Sequence, residues 1–470
     1  MGEHVFYDIV ADEKEALVSD AGERLTYAQL DEATSAFATF GLKRDLCFCL
    51  CENSPSSVVG YVGLLRAHIV PLLLDRKITS ELLSALMERY QPHYLYVPQD
   101  MVERFSGYHT IREVMSYALL EADEPHCAEL FDELALLLTT SGSTGSPKLV
   151  RQSSRNIQSN AEAIVEYLGI THSERAITTL PMNYTYGLSI INSHLLAHAT
   201  ILLTDKSMNM KPFWTFFNDE QATSFGGVPF TYQMLKRVRF FRMDLPSLRY
   251  MTQAGGKLSP ELHAEFANWA AERGKRFIVM YGQTEATARM GYLPAEKSIE
   301  KYGSMGIAIP GGKFTLIDVD GKAITEPHVT GELVYEGDNV TLGYAEGPAD
   351  LARGDERGGR LETGDMAQFD EDGYYYIVGR KKRFLKIFGN RVNLDEIDRL
   401  LSTEFEGMQC ASTGVDDRMV TFITDESKIE DVRRWLSGTT RLSQSAFDVR
   451  YLEAIPLNEA GKVLYKNLPA

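Results

Sequence analysis

The stretch LALLLTTSGSTGSPK, residues 134–148, decides the fold predicted for this chain. It opens with an uninterrupted apolar run, which is typical of a strand buried on both faces. Hydroxyl residues and two glycines follow, and glycine lets backbone amides turn toward an anion. Lys148 adds a positive charge. The stretch therefore predicts a phosphate-binding loop at the end of a buried strand, with a solvated Ser/Gly turn as the alternative. The residues assigned to this loop are Thr140, Ser141, Gly142, Ser143, Thr144 and Gly145.

The loop differs in spacing from the P-loop of kinases and related NTPases. That loop requires lysine directly after the second glycine and a Ser or Thr after the lysine. Here Ser146 and Pro147 separate Gly145 from Lys148, and Leu149 follows. A triphosphate would still fit, but a kinase-like ATPase is disfavoured.

A second motif, Tyr281-Gly282-Gln283-Thr284-Glu285, follows the apolar run at residues 277–280. We expect it at the C-terminal end of a buried strand, where α/β folds bind their ligands. Glu285 supplies a carboxylate, which is a preferred ligand of Mg²⁺.

Two further segments add polar side chains in the last third of the chain. Asp365 and Arg380 are predicted on neighbouring elements of a hairpin, where the carboxylate suits the two hydroxyls of a ribose. The segment PLNEAGK, residues 456–462, presents Lys462. Taken alone, such a lysine is expected to be solvated surface.

In this order and spacing, the four segments resemble the acyl-adenylate-forming superfamily of acyl-CoA synthetases, peptide-synthetase adenylation domains and luciferases. The resemblance covers nearly the whole chain, because LTYAQL at 25–30, GSMG at 303–306, GEL at 331–333 and GY at 343–344 look like further signatures of that superfamily. It implies an α/β fold in which residues 1–381 form a large N-terminal domain of mixed α/β subdomains. Residues 382–470 would form a small mobile α+β domain, with the hinge at Lys382.

The resemblance also implies a chemistry: ATP and Mg²⁺ activate a carboxylic acid as an acyl-adenylate, and pyrophosphate is released. Both reactants are anions, so catalysis must come from positioning and from cations near the developing charge. Lys148 and the loop hydroxyls would hold the β- and γ-phosphates, and Glu285, beside Thr284, would hold magnesium. Lys462 would approach the carboxylate and the α-phosphate. The base would lie near Ala254, Gly255, Gly256 and Tyr281, and the ribose near Asp365 and Arg380. Gly282 and Gln283 are assigned to the nucleotide as well.

In a second step the superfamily rotates its C-terminal domain, and a thiol then attacks the adenylate. Lys386 and Gly389 would face the active site in that state. The thiol is coenzyme A or the phosphopantetheine of an acyl carrier protein. The main alternative is an adenylating ligase that loads a carrier protein or an amine. A noncatalytic nucleotide- or acyl-binding homologue is the third option, and Lys462 argues against it.

The resemblance places the acyl pocket at Tyr184, Thr185, Tyr186 and Gly187. Members that activate amino acids carry an Asp near the place of Thr185, and no acidic residue lies between Glu174 and Asp205. A buried ammonium without a partner is costly, so an α-amino acid is disfavoured. Tyr184, Tyr186 and Phe230 either narrow this pocket or are ordinary core aromatics. We expect Arg289 to be solvated surface, with a contact to a polar group of the substrate as the alternative.

Composition is consistent with such an enzyme. The chain has 470 residues, of which 44% are hydrophobic, enough for large cores and more than one domain. Its formal net charge of −17 disfavours nucleic acid as a partner. No stretch has the length of a membrane span, so no membrane anchor is expected. Cys47, Cys49 and Cys51 alternate along one predicted strand, which favours core packing over zinc and indicates a reducing, cytoplasmic protein.

Overall fold

The computed structural model describes residues 5–139, 148–388, 390–415, 417–457 and 463–469. The chain forms two compact units, of which the first contains Met1–Phe314 and Tyr335–Leu361. The second contains Thr315–Val334 and Glu362–Ala470. The fold is α/β with a large N-terminal and a small C-terminal domain, as predicted. The exact domain boundary, between residues 381 and 382, stays a prediction.

One sheet of the first unit is built around the predicted cysteine strand. Its strands, in spatial order, are Gly343–Ala345, Leu149–Ser153, Leu134–Thr139, Val70–Asp75, Leu46–Cys51, Tyr94–Pro98, Tyr117–Ala122 and Tyr108–Val114. Leu46–Cys51 is buried throughout and has a parallel neighbour on each side. The three cysteines pack into one core cluster and the alternate residues of the strand into another, as the period of two predicts.

The second sheet of this unit positions the motif that contains Glu285 and the segment that contains Gly255. Its strands, in spatial order, are Ile307–Ala308, Gly291–Tyr292, Arg276–Tyr281, Tyr250–Gln253, Ser224–Gly227, Arg175–Ile177, Thr200–Leu203, Glu15–Ser19 and Arg24–Thr26. The middle strands are parallel, so their C-terminal ends lie along one edge of the sheet. Motifs that follow these strands are thereby brought to the same edge.

Helices connect the strands of the first unit. They are Tyr27–Ser35, Pro55–Arg66, Ser80–Tyr90, Ser154–Leu168, Thr185–Leu196, Lys211–Asp219, Pro229–Arg237 and Pro260–Glu272. Several begin at a Ser or Thr whose side chain accepts from a backbone amide of the first turn, for example Ser54 and Ser153. None of the helices in the described residues is long and apolar enough to span a bilayer.

The second unit has its own sheets and its own core. Most of one sheet belongs to it, with strands Ala323–Ile324, Lys313–Ile317, Gly331–Glu336, Arg360–Phe369 and Tyr375–Arg380. Further strands are Phe384–Ile387, Asn390–Asn393, Cys410–Val415, Arg418–Ile423 and Phe447–Tyr451, and the helices are Leu394–Glu404 and Ile429–Thr440. Ile397 and Leu401, which lie one helical turn apart on the first of these helices, are buried in this core.

A buried histidine makes the stability of the first unit dependent on pH. His263 accepts a hydrogen bond at Nδ1 from the amide of Gly303 (3.1 Å), and its Nε2 donates to Ser298 (2.9 Å), which fixes the neutral ring. Burial lowers the pKa of His263 to about 4, from an ordinary value of 6.5. The unfolded chain therefore binds the proton first, so stability is complete above about pH 6.5 and is lost as the pH falls toward 4.

We expect His263 alone to lower the free energy of unfolding by ~2 kcal/mol between pH 7 and pH 5. Urea unfolding midpoints of the wild type and of His263→Gln at the two pH values measure this. The difference between pH 7 and pH 5 should be smaller in the variant by about that amount. Equal pH dependence in the two proteins would refute the assignment.

Candidate active site

The motif that contains Glu285 lies where the sequence places it, directly after the buried strand Arg276–Tyr281. The residue that follows the strand has to be glycine, because a Cβ at Gly282 would lie 1.7 Å from the carbonyl oxygen of Ala288. A short 3₁₀ turn, Thr284–Ala286, then presents Glu285 at the edge of the sheet.

Glu285 is held at both its main chain and its side chain. Its carbonyl oxygen accepts from the amide of Thr341 (3.1 Å) and from the Arg357 guanidinium (2.8 Å). Its Oε1 accepts from the hydroxyl of Tyr344 at 2.6 Å, and Oε2 accepts no hydrogen bond from the described residues. Burial and the neighbouring carboxylate raise the pKa of Tyr344 to about 12, so the hydroxyl stays protonated. One oxygen of an oriented carboxylate is thus available to a cation.

Tyr344 also connects Glu285 with the lysine of the predicted phosphate loop. The Lys148 ammonium lies 5.5 Å from the centroid of the Tyr344 ring and 2.5 Å from a carboxylate oxygen of Glu346. Both side chains of that ion pair are more than half exposed, at 51% and 62%, so an anionic ligand can replace Glu346 at little cost. The other residues assigned to the loop, Thr140, Ser141, Gly142, Ser143, Thr144 and Gly145, lie outside the described residues.

The turn after Glu285 contains a strained residue. Thr287 has a φ of 63° and a ψ of −58°, the conformation of a γ-turn closed by the Ala288 amide and the Ala286 carbonyl oxygen (2.7 Å), which is strained. Its hydroxyl donates to the Asn339 carbonyl oxygen (2.8 Å), and its own carbonyl oxygen accepts from the Thr185 hydroxyl. The Asn339 amide donates in turn to the carbonyl oxygen of Ala286 at 2.9 Å. These bonds hold the turn in a conformation that its sequence alone disfavours.

The segment assigned to the base, Ala254-Gly255-Gly256, directly follows the strand Tyr250–Gln253 of the same sheet. Gly255 has a φ of +82°, and a Cβ there would lie 2.7 Å from the hydroxyl oxygen of Tyr184. Glycine is therefore required both by the backbone conformation and by the close approach of the tyrosine. This contact brings the segment beside the first residue of the predicted acyl pocket.

The predicted acyl-pocket residues form the start of the helix Thr185–Leu196. A Cβ at Gly187 would lie 2.3 Å from the carbonyl oxygen of Pro181, so the helix packs closely against the preceding turn. Tyr186 is buried, and its hydroxyl contacts that of Thr252 at 2.8 Å. Phe230, in contrast, is 45% exposed and does not belong to the core.

The expectation that Arg289 is solvated surface is wrong, because its exposure is only 2%. The chain turns back after Glu285, and Gly291–Tyr292 pairs antiparallel with Met280–Tyr281. That return carries Arg289 into the interior. The spacing of four residues from Glu285 does not reveal this, since it depends on the strand pairing that follows.

In the second unit, Asp365 and Arg380 face each other across an antiparallel pair of strands, as predicted. Their side chains form an ion pair at 2.7 Å, with Asp365 almost buried and Arg380 more than half exposed. The hydroxyl of Thr363 accepts from the Asp365 amide (3.1 Å) and donates to the Leu333 carbonyl oxygen (2.8 Å). The carboxylate is therefore attached to a rigid sheet.

The remaining assigned residues belong to the C-terminal part of the chain. Lys382 lies in the short 3₁₀ turn Lys381–Arg383, and Lys386 lies on the strand Phe384–Ile387. Gly389 and Lys462 lie outside the described residues. Leu457 and Val463, on either side of residues 458–462, form an antiparallel bridge.

Two residues of this site were not assigned a role from the sequence. Tyr344 belongs to a recognised signature, yet only the structure shows its bond to Glu285. Arg357 lies in a polar, glycine-containing segment that carries no local signal, and its contact with Glu285 spans 72 positions of sequence.

Comparison with known proteins gives a consistent result. The family model described as AMP-binding enzyme matches residues 10–345. Peroxisomal OPC-8:0-CoA ligase 1 of Arabidopsis thaliana is 28% identical over 72% of this chain and 64% of its own length. Oxalate–CoA ligase of the same plant is 30% identical over 61% of this chain and 55% of its own length, so the chain spans less than two thirds of either relative.

Other comparisons extend over nearly the whole chain. Feruloyl-CoA synthase of an Amycolatopsis species is 27% identical over 95% of this chain and 94% of its own length. O-succinylbenzoate coenzyme A synthetase from Bacillus subtilis, solved in complex with AMP, superposes with a TM-score of 0.79. That match covers 97% of this chain and 96% of the other at 22% identity, which shows a common fold.

Proposed function

Because this chain belongs to the AMP-binding enzyme family, we propose that it activates a carboxylic acid with ATP and transfers the acyl group to coenzyme A. The first step is attack of the carboxylate on the α-phosphorus of ATP, which forms an acyl-adenylate and releases pyrophosphate. In the second step a thiol displaces AMP. The observation that carries the proposal is the Glu285–Tyr344–Lys148 cluster, which joins the turn after a strand of one sheet to strands of the other.

The chemistry requires cations near the phosphates, because an anionic nucleophile attacks an anionic substrate. Lys148 is assigned to the β- and γ-phosphates, where it would exchange its exposed partner Glu346 for the ligand. Glu285 is assigned to Mg²⁺, and the ion would neutralise phosphate charge as it develops. Tyr344 keeps the carboxylate oriented. Thr284 lies beside Glu285 in the same turn.

Further roles follow from the family resemblance and from local geometry. Ala254, Gly255 and Gly256 are assigned to the base, since close backbone approach leaves room for a flat ring. Asp365 is assigned to the ribose, with Arg380 beside it. Lys462 is assigned to the reacting carboxylate and the α-phosphate. Lys382 is assigned to a hinge, and Lys386 with Gly389 to the thiol-transfer state.

The acceptor thiol is the finer part of this proposal. Coenzyme A is favoured because the relatives named above are CoA ligases or synthases. The alternative acceptor is the phosphopantetheine of an acyl carrier protein, or an amine. A cytoplasmic location, with thiols kept reduced, is part of the same proposal.

The test is product identity. Wild-type protein is incubated with ATP, Mg²⁺, coenzyme A and single acids from a panel of aliphatic, aryl, hydroxy and amino acids. The proposal expects AMP, pyrophosphate and a thioester in equal amounts. AMP and pyrophosphate without thioester would indicate that the acyl acceptor is a carrier protein or an amine. ADP would indicate a kinase. No turnover with any acid would favour a noncatalytic binder.

We expect Asp365→Asn to raise the KM for ATP about 30-fold while leaving kcat within a few-fold, because two charge-assisted hydrogen bonds to the ribose are weakened. Initial rates at varied ATP measure this. The control is Asp370→Asn on the same hairpin, whose carboxylate accepts from the amide of Tyr374 and the hydroxyl of Tyr376. That variant should lower the melting temperature without changing the KM for ATP. An unchanged KM for ATP in Asp365→Asn would show that Asp365 does not bind the nucleotide.

A further inference from the structure

Arg151 and Arg289 are the two arginines among the largest fully buried side chains of the described residues. They differ in whether a carboxylate lies beside the guanidinium. Arg151 has a carboxylate partner, Glu356, at 2.5 Å. Arg289 has no carboxylate within 4.0 Å of its guanidinium among the described residues. A buried charge without a counter-charge is strongly unfavourable.

The contacts of Arg289 are all with neutral groups. Nε donates to the Ser189 hydroxyl (3.2 Å), and Nη1 donates to the Tyr167 hydroxyl (3.0 Å) and to the sulfur of Met280 (2.6 Å). The guanidinium carbon lies 4.5 Å from the centroid of the Tyr186 ring. The two N–H groups of Nη2 have no partner among the described residues. These contacts orient the guanidinium and leave one edge of it unused.

The tyrosines around Arg289 do not supply the missing negative charge. Burial raises the pKa of Tyr167 and of Tyr184, and it raises the pKa of Tyr186 to about 12. All three hydroxyls are therefore protonated at neutral pH. The nearby His194 is buried and neutral, because burial lowers its pKa to about 4.

Arg289 lines a small cavity of about 10 Å³ together with Tyr250 and Thr252. Ser189, which accepts from Nε of Arg289, lines a separate cavity of about the same volume together with Thr185 and Thr287. Gln152 and Asn192 line the same cavity and are 1% and 4% exposed. Within the described part of the chain, both amide atoms of Gln152 have no hydrogen-bond partner, whereas Asn192 lies beside the hydroxyl of Tyr61. A cavity of this volume has room for one water molecule, which would hydrogen-bond to these amide atoms.

We propose that the acid activated here carries a second anionic group, in the simplest case a second carboxylate, which Arg289 binds. The inference rests on the proposed function and names its substrate class. A ligand carboxylate would supply the missing counter-charge through charge-assisted hydrogen bonds to Nη2.

The test compares matched acids that differ only at the far end. Straight-chain and aryl dicarboxylic acids are paired with their monoamides and monomethyl esters, and ATP–pyrophosphate exchange is measured without a thiol. For the best pair we expect the diacid to exceed its neutral-ended partner about 100-fold in kcat/KM. Equal rates, or a preference for the neutral end, would overturn the inference while leaving the proposed function intact. No exchange with any acid would instead overturn the proposed function.

The variant Arg289→Gln assigns the preference to this residue. The kcat/KM of this variant should fall about 100-fold for the diacid and little for the monoamide, because only the diacid has lost a charge partner. Arg289→Lys should restore part of the preference for the diacid. A purely structural role predicts equal loss on both acids, as expected for Arg151→Gln, the control at the arginine paired with Glu356.

A measurement on the unchanged protein covers the case in which Arg289→Gln does not fold. The melting temperature of the wild type is recorded with ATP and Mg²⁺ plus a diacid or its monoamide at equal concentration. Ligand binding to the folded state raises the melting temperature. The diacid should produce the larger shift, and a larger shift with the monoamide would contradict the proposal.

Discussion

Lys462→Ala is expected to reduce acid-dependent pyrophosphate release by at least about 100-fold, the scale of one lost charge contact in a transition state. Attack of a carboxylate on the α-phosphate brings two anions together, and a lysine between them offsets that repulsion. Thioester formation from a supplied acyl-adenylate should stay within a few-fold of the wild type, because the second half-reaction no longer requires this lysine. The measurement compares the two half-reactions separately.

The matched control is Lys466→Ala. Lys466 is exposed and lies four residues after Lys462, in the turn Tyr465–Asn467. The Lys466→Ala variant should leave the rates of both half-reactions unchanged. If Lys462→Ala impaired both half-reactions equally, the separation of roles between two conformations would be refuted. If it impaired neither, the lysine would be the solvated surface residue that its local sequence suggests.

Glu285→Gln is expected to lower the rate of adenylate formation about 100-fold and to shift the magnesium dependence to higher concentration. The amide keeps the shape and the contact with Tyr344 but loses the negative charge that binds a hard cation. Rates at varied Mg²⁺ and saturating ATP measure the effect.

Tyr344→Phe serves as the comparison, because it removes the 2.6 Å bond to Glu285 and keeps the carboxylate. Its effect should be smaller, about 5-fold, the cost of losing one hydrogen bond. Unchanged magnesium dependence in Glu285→Gln would show that Glu285 does not bind the metal. A loss in Tyr344→Phe as large as that in Glu285→Gln would make the tyrosine more than an orienting group.

Local patterns predicted the elements that carry these residues. The apolar run before Thr139 forms the strand Leu134–Thr139, and the run before Tyr281 forms the strand Arg276–Tyr281. The facing positions of Asp365 and Arg380 followed from the hairpin pattern. Each of these features depends on residues close in sequence, where apolar runs and turn residues carry the signal.

Features that depend on distant parts of the chain were missed. Arg289 is buried because the strand pairing after Glu285 returns it to the interior, beneath Tyr167 and Ser189, which are 122 and 100 positions away. The contact of Arg357 with Glu285 likewise joins segments that no local pattern relates. A charged side chain without a local partner is ordinarily solvated, and the local sequence gives no indication that Arg289 is buried.

The central claim is that this protein forms an acyl-adenylate, and ATP–pyrophosphate exchange tests it most directly. Wild-type protein is mixed with ATP, Mg²⁺, labelled pyrophosphate and a single carboxylic acid, without a thiol. The account predicts that label enters ATP only when a suitable acid is present, and that the same reaction is lost in Lys462→Ala. Exchange that does not depend on the acid, or its absence with every acid in protein that binds ATP, would contradict the account.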